Sequence, residues 1–132
     1  MVHLSEHKTK FLIAAIGWTV LIAFLCLGST TNLPSIKVTS LDKVVHFSMH
    51  FVFTMLWVLY FFYRNSANKA NNIALNFFLI SLFYGILLEI FQHIFTSNRQ
   101  ADFFDILANA FGAFVAVKSF LYLNNRNLLC RK

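Results

Sequence analysis

The chain has 132 residues and is 58% hydrophobic and only 12% charged, with a formal net charge of +6. A soluble domain of this size carries about 25% charged residues, so a water-facing globule is excluded, and the length allows one domain, 1–132. The positive balance does not describe a nucleic-acid binder: the Lys and Arg residues lie in short segments between apolar runs rather than on one basic face with stacking aromatics.

Four apolar runs follow one another, at about 11–28, 44–63, 73 to 95–97, and 103–123. Each has roughly the 20 residues that cross a hydrocarbon core of about 30 Å. The first run follows Lys8 and Lys10 and so has the outline of a secretory signal. It is longer than the about 7–15 residues of a signal core, and Leu25 before Cys26 is unlike the small residue of a lipoprotein signal, so it reads as an uncleaved first helix. The connections 29–43, 64–72 and 96–102 are short, which places consecutive helices side by side and antiparallel. The expected fold is an all-α membrane protein, a four-helix up-down bundle.

Lys and Arg counts orient it. Lys8, Lys10, Arg64, Lys69, Lys118, Arg126, Arg131 and Lys132 fall on one side, against Lys37, Lys43 and Arg99 on the other. Positive charge in short loops marks the cytoplasmic face, so both termini are expected there, in a multi-pass protein of the cell (inner) membrane. The same topology puts Cys26 and Cys130 on opposite sides, where they do not pair.

Ionisable residues interrupt the last three runs. Asp42, Lys43, His46 and His50 begin the second, Glu89 and Gln92 close the third, and Asp102, Asp105 and Asn109 open the fourth just after Arg99. At about 1.5 Å per residue, His46, Glu89, Gln92, Asp105 and Asn109 all lie within roughly 12 Å of the outer boundary. Ser81, Gly85, Glu89 and Gln92 share one helical stripe, as do Asp102, Asp105, Asn109, Gly112 and Ala116. Ala108, Gly112 and Ala116 form a ladder of small residues that lets backbones approach. The stripes describe a packed interior with a polar pocket at its outer mouth.

Two readings compete. In one, Arg99 pairs with Asp102, Asp105 or Glu89 and latches the hairpin between the third and fourth helices. In the other, the groups bind a polar ligand or do chemistry. Interhelical hydrogen bonds in membranes average only about 0.6 kcal/mol. Inserting each ionisable group costs roughly 2.5–3.5 kcal/mol, which favours a function. One His with several carboxylates permits a divalent cation held by Glu89, Asp105 and His46, an acid–base pair, or a phosphate clamped by Arg99. No zinc-protease motif, Gly-rich phosphate loop or nucleophile elbow is present. His93 reads as an interface residue, and Trp18 and Trp57 as lipid contacts or packing.

The order Asp42-Lys43-x-x-His46-Phe47, then Glu89-x-x-Gln92, then Arg99-x-x-Asp102-x-x-Asp105-x-x-x-Asn109-x-x-Gly112 resembles the VanZ-like family of small bacterial membrane proteins. These motifs run from Asp42 to Ala116; the first helix and the tail carry no signature. His50 stands where the family often has Tyr, and Ser97-Asn98 where it often has Pro-Gly. The resemblance implies a multi-pass bacterial membrane protein, and the family's namesake is linked to teicoplanin resistance.

The sequence therefore names His46, Glu89 and Asp105 as candidates for proton transfer or ion binding. Asp42, Lys43, Gln92, Arg99, Asp102 and Asn109 are candidates for contacting a ligand or orienting these groups. An envelope lipid or lipid-linked phosphate is the leading partner besides the bilayer itself. A non-catalytic accessory protein and an ion-coupled carrier are the alternatives, and whether the chain is an enzyme stays open. The carrier is the weakest of these, since no inverted repeat is evident.

Overall fold

A computed structural model describes residues 2–28, 39–65, 69–95 and 102–129, and all of its regular structure is helical. The elements are α1 (Val2–Leu27), α2 (Thr39–Arg64), α3 (Ala70–Phe95) and α4 (Phe103–Asn125). Each contains a stretch long and apolar enough to cross a membrane: Lys8–Leu27, Leu41–Arg64, Ala70–Phe95 and Phe103–Asn125. A continuous helix is what lipid demands of such a sequence, because every backbone polar group is satisfied within the segment. The described residues contain no Pro, the chain's one Pro being Pro34.

The helices overrun the apolar runs. α1 begins at Val2 rather than at 11, α2 at Thr39 rather than at 44, and α3 at Ala70 rather than at 73. Hydropathy marks the lipid-embedded part of a helix, whereas helical hydrogen bonding continues into polar flanks. Asp42 and Lys43, which precede the apolar run at 44, sit in the first turns of α2. His46 lies about 10 Å along α2 from its start.

The ends have recognisable chemistry. Asp102 is the N-cap of α4, with φ −108° and ψ 119°, and its Oδ1 accepts from the Phe104 backbone N–H at 2.9 Å. That bond satisfies one of the orphan donors of the first turn. After α4, Asn127 takes a left-handed φ of 53°, and the Leu128 N–H returns to the Leu123 carbonyl at 3.1 Å. Asn tolerates that conformation and ends the helix.

The bundle runs up, down, up, down. Phe11 stacks on Tyr63 and the Trp18 indole donates to the Met49 carbonyl, so α1 is antiparallel to α2. Tyr84 donates to the Thr19 carbonyl and Gln92 to the Cys26 carbonyl, so α1 runs parallel to α3. The most extensive packing joins the non-consecutive, parallel pair α2 and α4. Gly112 makes this approach feasible: a Cβ there would collide with the Phe47 carbonyl oxygen and lie 3.0 Å from its carbon. The Ala108–Gly112–Ala116 ladder thus faces α2.

One end of the bundle is apolar, where Val58, Phe62, Ile73, Ala74, Phe77 and Phe120 form a buried cluster. Trp57 stacks on Phe77 and donates to Thr19 Oγ1 at 3.1 Å, so it packs inside the bundle. Large apolar side chains such as Ile13, Phe24, Phe83, Phe103 and Phe111 are exposed around the outside. In water such a surface would drive association; against lipid tails it is solvated. The other end, formed by the starts of α2 and α4 and the last turns of α3, carries the polar residues.

Candidate functional site

The site is built on the α2–α4 contact. Lys43 Nζ donates to Asp102 Oδ2 at 2.8 Å and to Asp105 Oδ1 at 3.0 Å, joining the first turns of the two helices. Both distances are those of charge-assisted bonds. Asp102 lies before the membrane-spanning part of α4, and the Lys43 ammonium beside it, followed by the Phe104 N–H, holds its carboxyl below the usual carboxylate range.

One turn deeper, His46 is buried and central. Its Nδ1 lies 3.2 Å from Asn109 Oδ1 and 3.8 Å from Glu89 Oε1. Its Nε2 lies 3.8 Å from Asp105 Oδ2 and 4.0 Å from Asp42 Oδ1. Three helices contribute to this cluster, α2 by Asp42 and His46, α3 by Glu89, and α4 by Asp105 and Asn109. Glu89 is 2% exposed, and its Oε2 accepts from the Asp102 backbone N–H at 3.4 Å. Its other oxygen, Oε1, is fully buried and has no hydrogen-bond donor among the described residues. A buried acceptor in that condition costs of order 1–3 kcal/mol, more when charged, so the fold tolerates it only at an expense.

Deeper still is a second polar layer. His50 Nδ1 lies 2.9 Å from Ser81 Oγ, and His50 Nε2 and Thr54 Oγ1 are buried without partners among the described residues. Gly85 makes room for this contact: a Cβ at that position would sit 3.1 Å from both His50 Cε1 and Asn109 Nδ2. Ser81 and Gly85 belong to the stripe seen in the sequence. Thr54 carried no signal there, because a lone Thr at helical spacing is common in apolar helices.

Among the residues named from sequence, the fold gathers His46, Glu89, Asp105, Asn109, Asp42, Lys43 and Asp102. Gln92 is also buried, and its amide donates to the Cys26 carbonyl at 3.0 Å, tying α3 to α1. His93 is exposed on the last turn of α3, as an interface residue is. Arg99 lies outside the described residues, as does Cys130.

A family model described as VanZ/LLP1 matches residues 6–124. The chain belongs to the VanZ-like family. The match extends through α1, which carries none of the motifs, so the whole VanZ-like bundle and not the polar end alone is the family unit. No curated protein and no solved structure matches the chain. The VanZ-like motifs and the polar cluster coincide: the first supplies Asp42, Lys43 and His46, the second Glu89, and the third Asp102, Asp105 and Asn109.

Proposed function

We propose that this VanZ-like chain is a single-domain protein of the cell envelope's inner membrane that recognises or processes the phosphate-bearing head of an envelope lipid or lipid-linked precursor. Both termini lie in the cytoplasm in this reading, so the polar end opens outward. The observation that supports it is the convergence of Glu89, Asp105 and Asn109 on the His46 ring, each with an oxygen 3.2–3.8 Å from one of its nitrogens. Three ionisable groups drawn from three apolar helices into one buried layer are costly unless they serve a ligand or a reaction. Glu89, Asp105 and His46 are the groups for proton transfer or ion binding. Arg99 is the residue for contacting the anion, because Lys43 is already engaged by two carboxylates.

Binding of lipid-phosphate species to the purified protein tests this. Wild type binds and Arg99→Ala binds more weakly; equal binding by the two removes the clamp. The namesake's link to teicoplanin is a family-level association, and glycopeptide susceptibility with and without the protein tests it here.

The Lys43 bridge favours a second reading. It cross-links α2 and α4, as a structural latch does. A pure latch requires that Glu89→Gln and Asp105→Asn lower thermal stability and function together.

A further inference from the structure

We propose that Asp42, His46 and Asp105 form a binding site for a divalent metal cation of the zinc or manganese class, with Asn109 fixing the histidine. A carboxylate oxygen from each Asp and one ring nitrogen of His46 lie within 4.8 Å of one another. The Asn109 Oδ1 facing His46 Nδ1 at 3.2 Å only accepts hydrogen bonds, so Nδ1 is the donor. In the neutral ring the lone pair then resides on Nε2. That nitrogen faces Asp105 Oδ2 at 3.8 Å and Asp42 Oδ1 at 4.0 Å. Three electron-pair donors converge there, and the Lys43 ammonium bonds Asp105 through its other oxygen, Oδ1.

An imidazolium ion pair is the competing explanation, but its bonds would be about 2.7–2.9 Å, a full ångström shorter than these separations. Metal–nitrogen and metal–oxygen bonds of about 2.0–2.2 Å set ligand atoms roughly 3.4 Å apart around a tetrahedral ion. The His46–carboxylate distances of 3.8 and 4.0 Å need about half an ångström of closure, and the three ligand atoms, all within 4.8 Å of one another, need at most about 1.4 Å. A side-chain oxygen accepting from the non-ligating ring N–H is the usual support for a metal-bound histidine, and Asn109 supplies it.

Two further observations point to a cation. Asp105 divides its oxygens, Oδ1 to Lys43 and Oδ2 toward His46, so the Lys43 bridge and a metal do not compete for one atom. Beside the cluster, on the Nδ1 side of the His46 ring, the buried Glu89 Oε1 lies 3.8 Å from that nitrogen and has no donor among the described residues. Among the described residues the site thus holds the carboxylates Asp42, Glu89, Asp102 and Asp105 against the single ammonium of Lys43. A doubly charged ion offsets that excess. Asp42, half exposed at the start of α2, leaves one side open for entry and for a water or ligand oxygen. One nitrogen and two oxygens suit zinc or manganese better than magnesium or calcium, which prefer all-oxygen sites.

The inference does not depend on lipid-phosphate binding and is measured without it. The full chain, purified without a polyhistidine tag in a maltoside detergent and stripped with chelator, is titrated with Zn²⁺ by calorimetry. The expected result is one Zn²⁺ per chain, with His46→Gln abolishing it and Asp42→Asn weakening it tenfold or more. Asp42 is exposed, so Asp42→Asn keeps the fold even where variants at buried positions do not. His93→Gln binds as wild type does. Absence of stoichiometric Zn²⁺ binding, or equal affinity in Asp42→Asn, overturns the site. Because no phosphate is present, either result leaves the lipid-phosphate assay to be decided separately.

Discussion

Gly112 on α4 rests directly on the backbone of Phe47 on α2, so close that a single added carbon would meet the Phe47 carbonyl. This contact sets the spacing of the two helices that carry Lys43, His46, Asp105 and Asn109. Gly112→Ala must therefore separate them. The expected cost is about 1–3 kcal/mol, the usual penalty of overpacking, read as a lower thermal midpoint in detergent. The same variant weakens whatever the polar end binds, because His46 and Asn109 move apart.

Lys43 is predicted to matter more than either of its partners. Lys43→Met leaves Asp102 and Asp105 facing each other across α4's first turn without a cation, and Asp105 is 9% exposed. Asp102→Asn removes one bond and retains the Lys43–Asp105 pair. Thermal melts should rank wild type above Asp102→Asn and Asp102→Asn above Lys43→Met. The reverse order would mean that the charge of Asp102 contributes more than the Lys43 bridge, since Asn caps a helix as well as Asp does.

Two threonines should respond in opposite directions. Thr54 Oγ1 is buried without a partner, so Thr54→Val removes an unsatisfied group and stabilises by about 1 kcal/mol. Thr19 Oγ1 donates to the Ala15 carbonyl at 2.7 Å and accepts from Trp57 Nε1 at 3.1 Å. Thr19→Val strands the Trp57 N–H and costs about 1–2 kcal/mol. Denaturant unfolding of the pair gives both signs in one experiment.

Ser81→Ala tests the second polar layer. It takes the hydroxyl from His50 Nδ1 and leaves a fully buried imidazole with neither nitrogen bonded. A loss of about 1–3 kcal/mol is expected. Ser81→Thr keeps the hydroxyl and should recover part of it. Loss from Ser81→Ala with no recovery by Ser81→Thr would assign the effect to packing volume.

Glu89→Gln separates function from scaffolding. The carboxylate's Oε1 gains nothing from the fold, and the amide keeps the shape and an acceptor for the Asp102 N–H. Stability should stay level or rise by about 1 kcal/mol, while binding at the polar end is lost. A fall in stability that parallels the loss of binding would favour the latch.

Much of this organisation was legible in one dimension. Four runs of hydrophobic residues dictate four helices, because lipid leaves the backbone no other way to satisfy itself. The spacing of Glu89, Asp105 and Asn109 put them on stripes with Ser81, Gly85 and Gly112, and a stripe of polar and small residues faces protein rather than lipid. The motifs resembled the family to which the chain belongs. Helix boundaries were less legible at α1 and α2, since polar flanks are helical without being hydrophobic.

Pairing was decided only in three dimensions. Periodicity assigns a residue to a face but does not say which face it meets. Short loops suggested neighbours in chain order, yet the tightest contact is between α2 and α4, where Gly112 admits the Phe47 backbone. That contact makes Lys43, a candidate ligand contact in the sequence, a bridge to Asp102 and Asp105. It set Asn109 against one nitrogen of His46 and Asp105 near the other. It also left Gln92 bonded toward α1 and, among the described residues, Glu89 Oε1 without a donor. Sequence determined that the chain spans a membrane and carries polar groups at one depth, because transfer free energy is a local property of residues. Tertiary structure alone decided which of those groups touch, because contact depends on how closely two backbones approach.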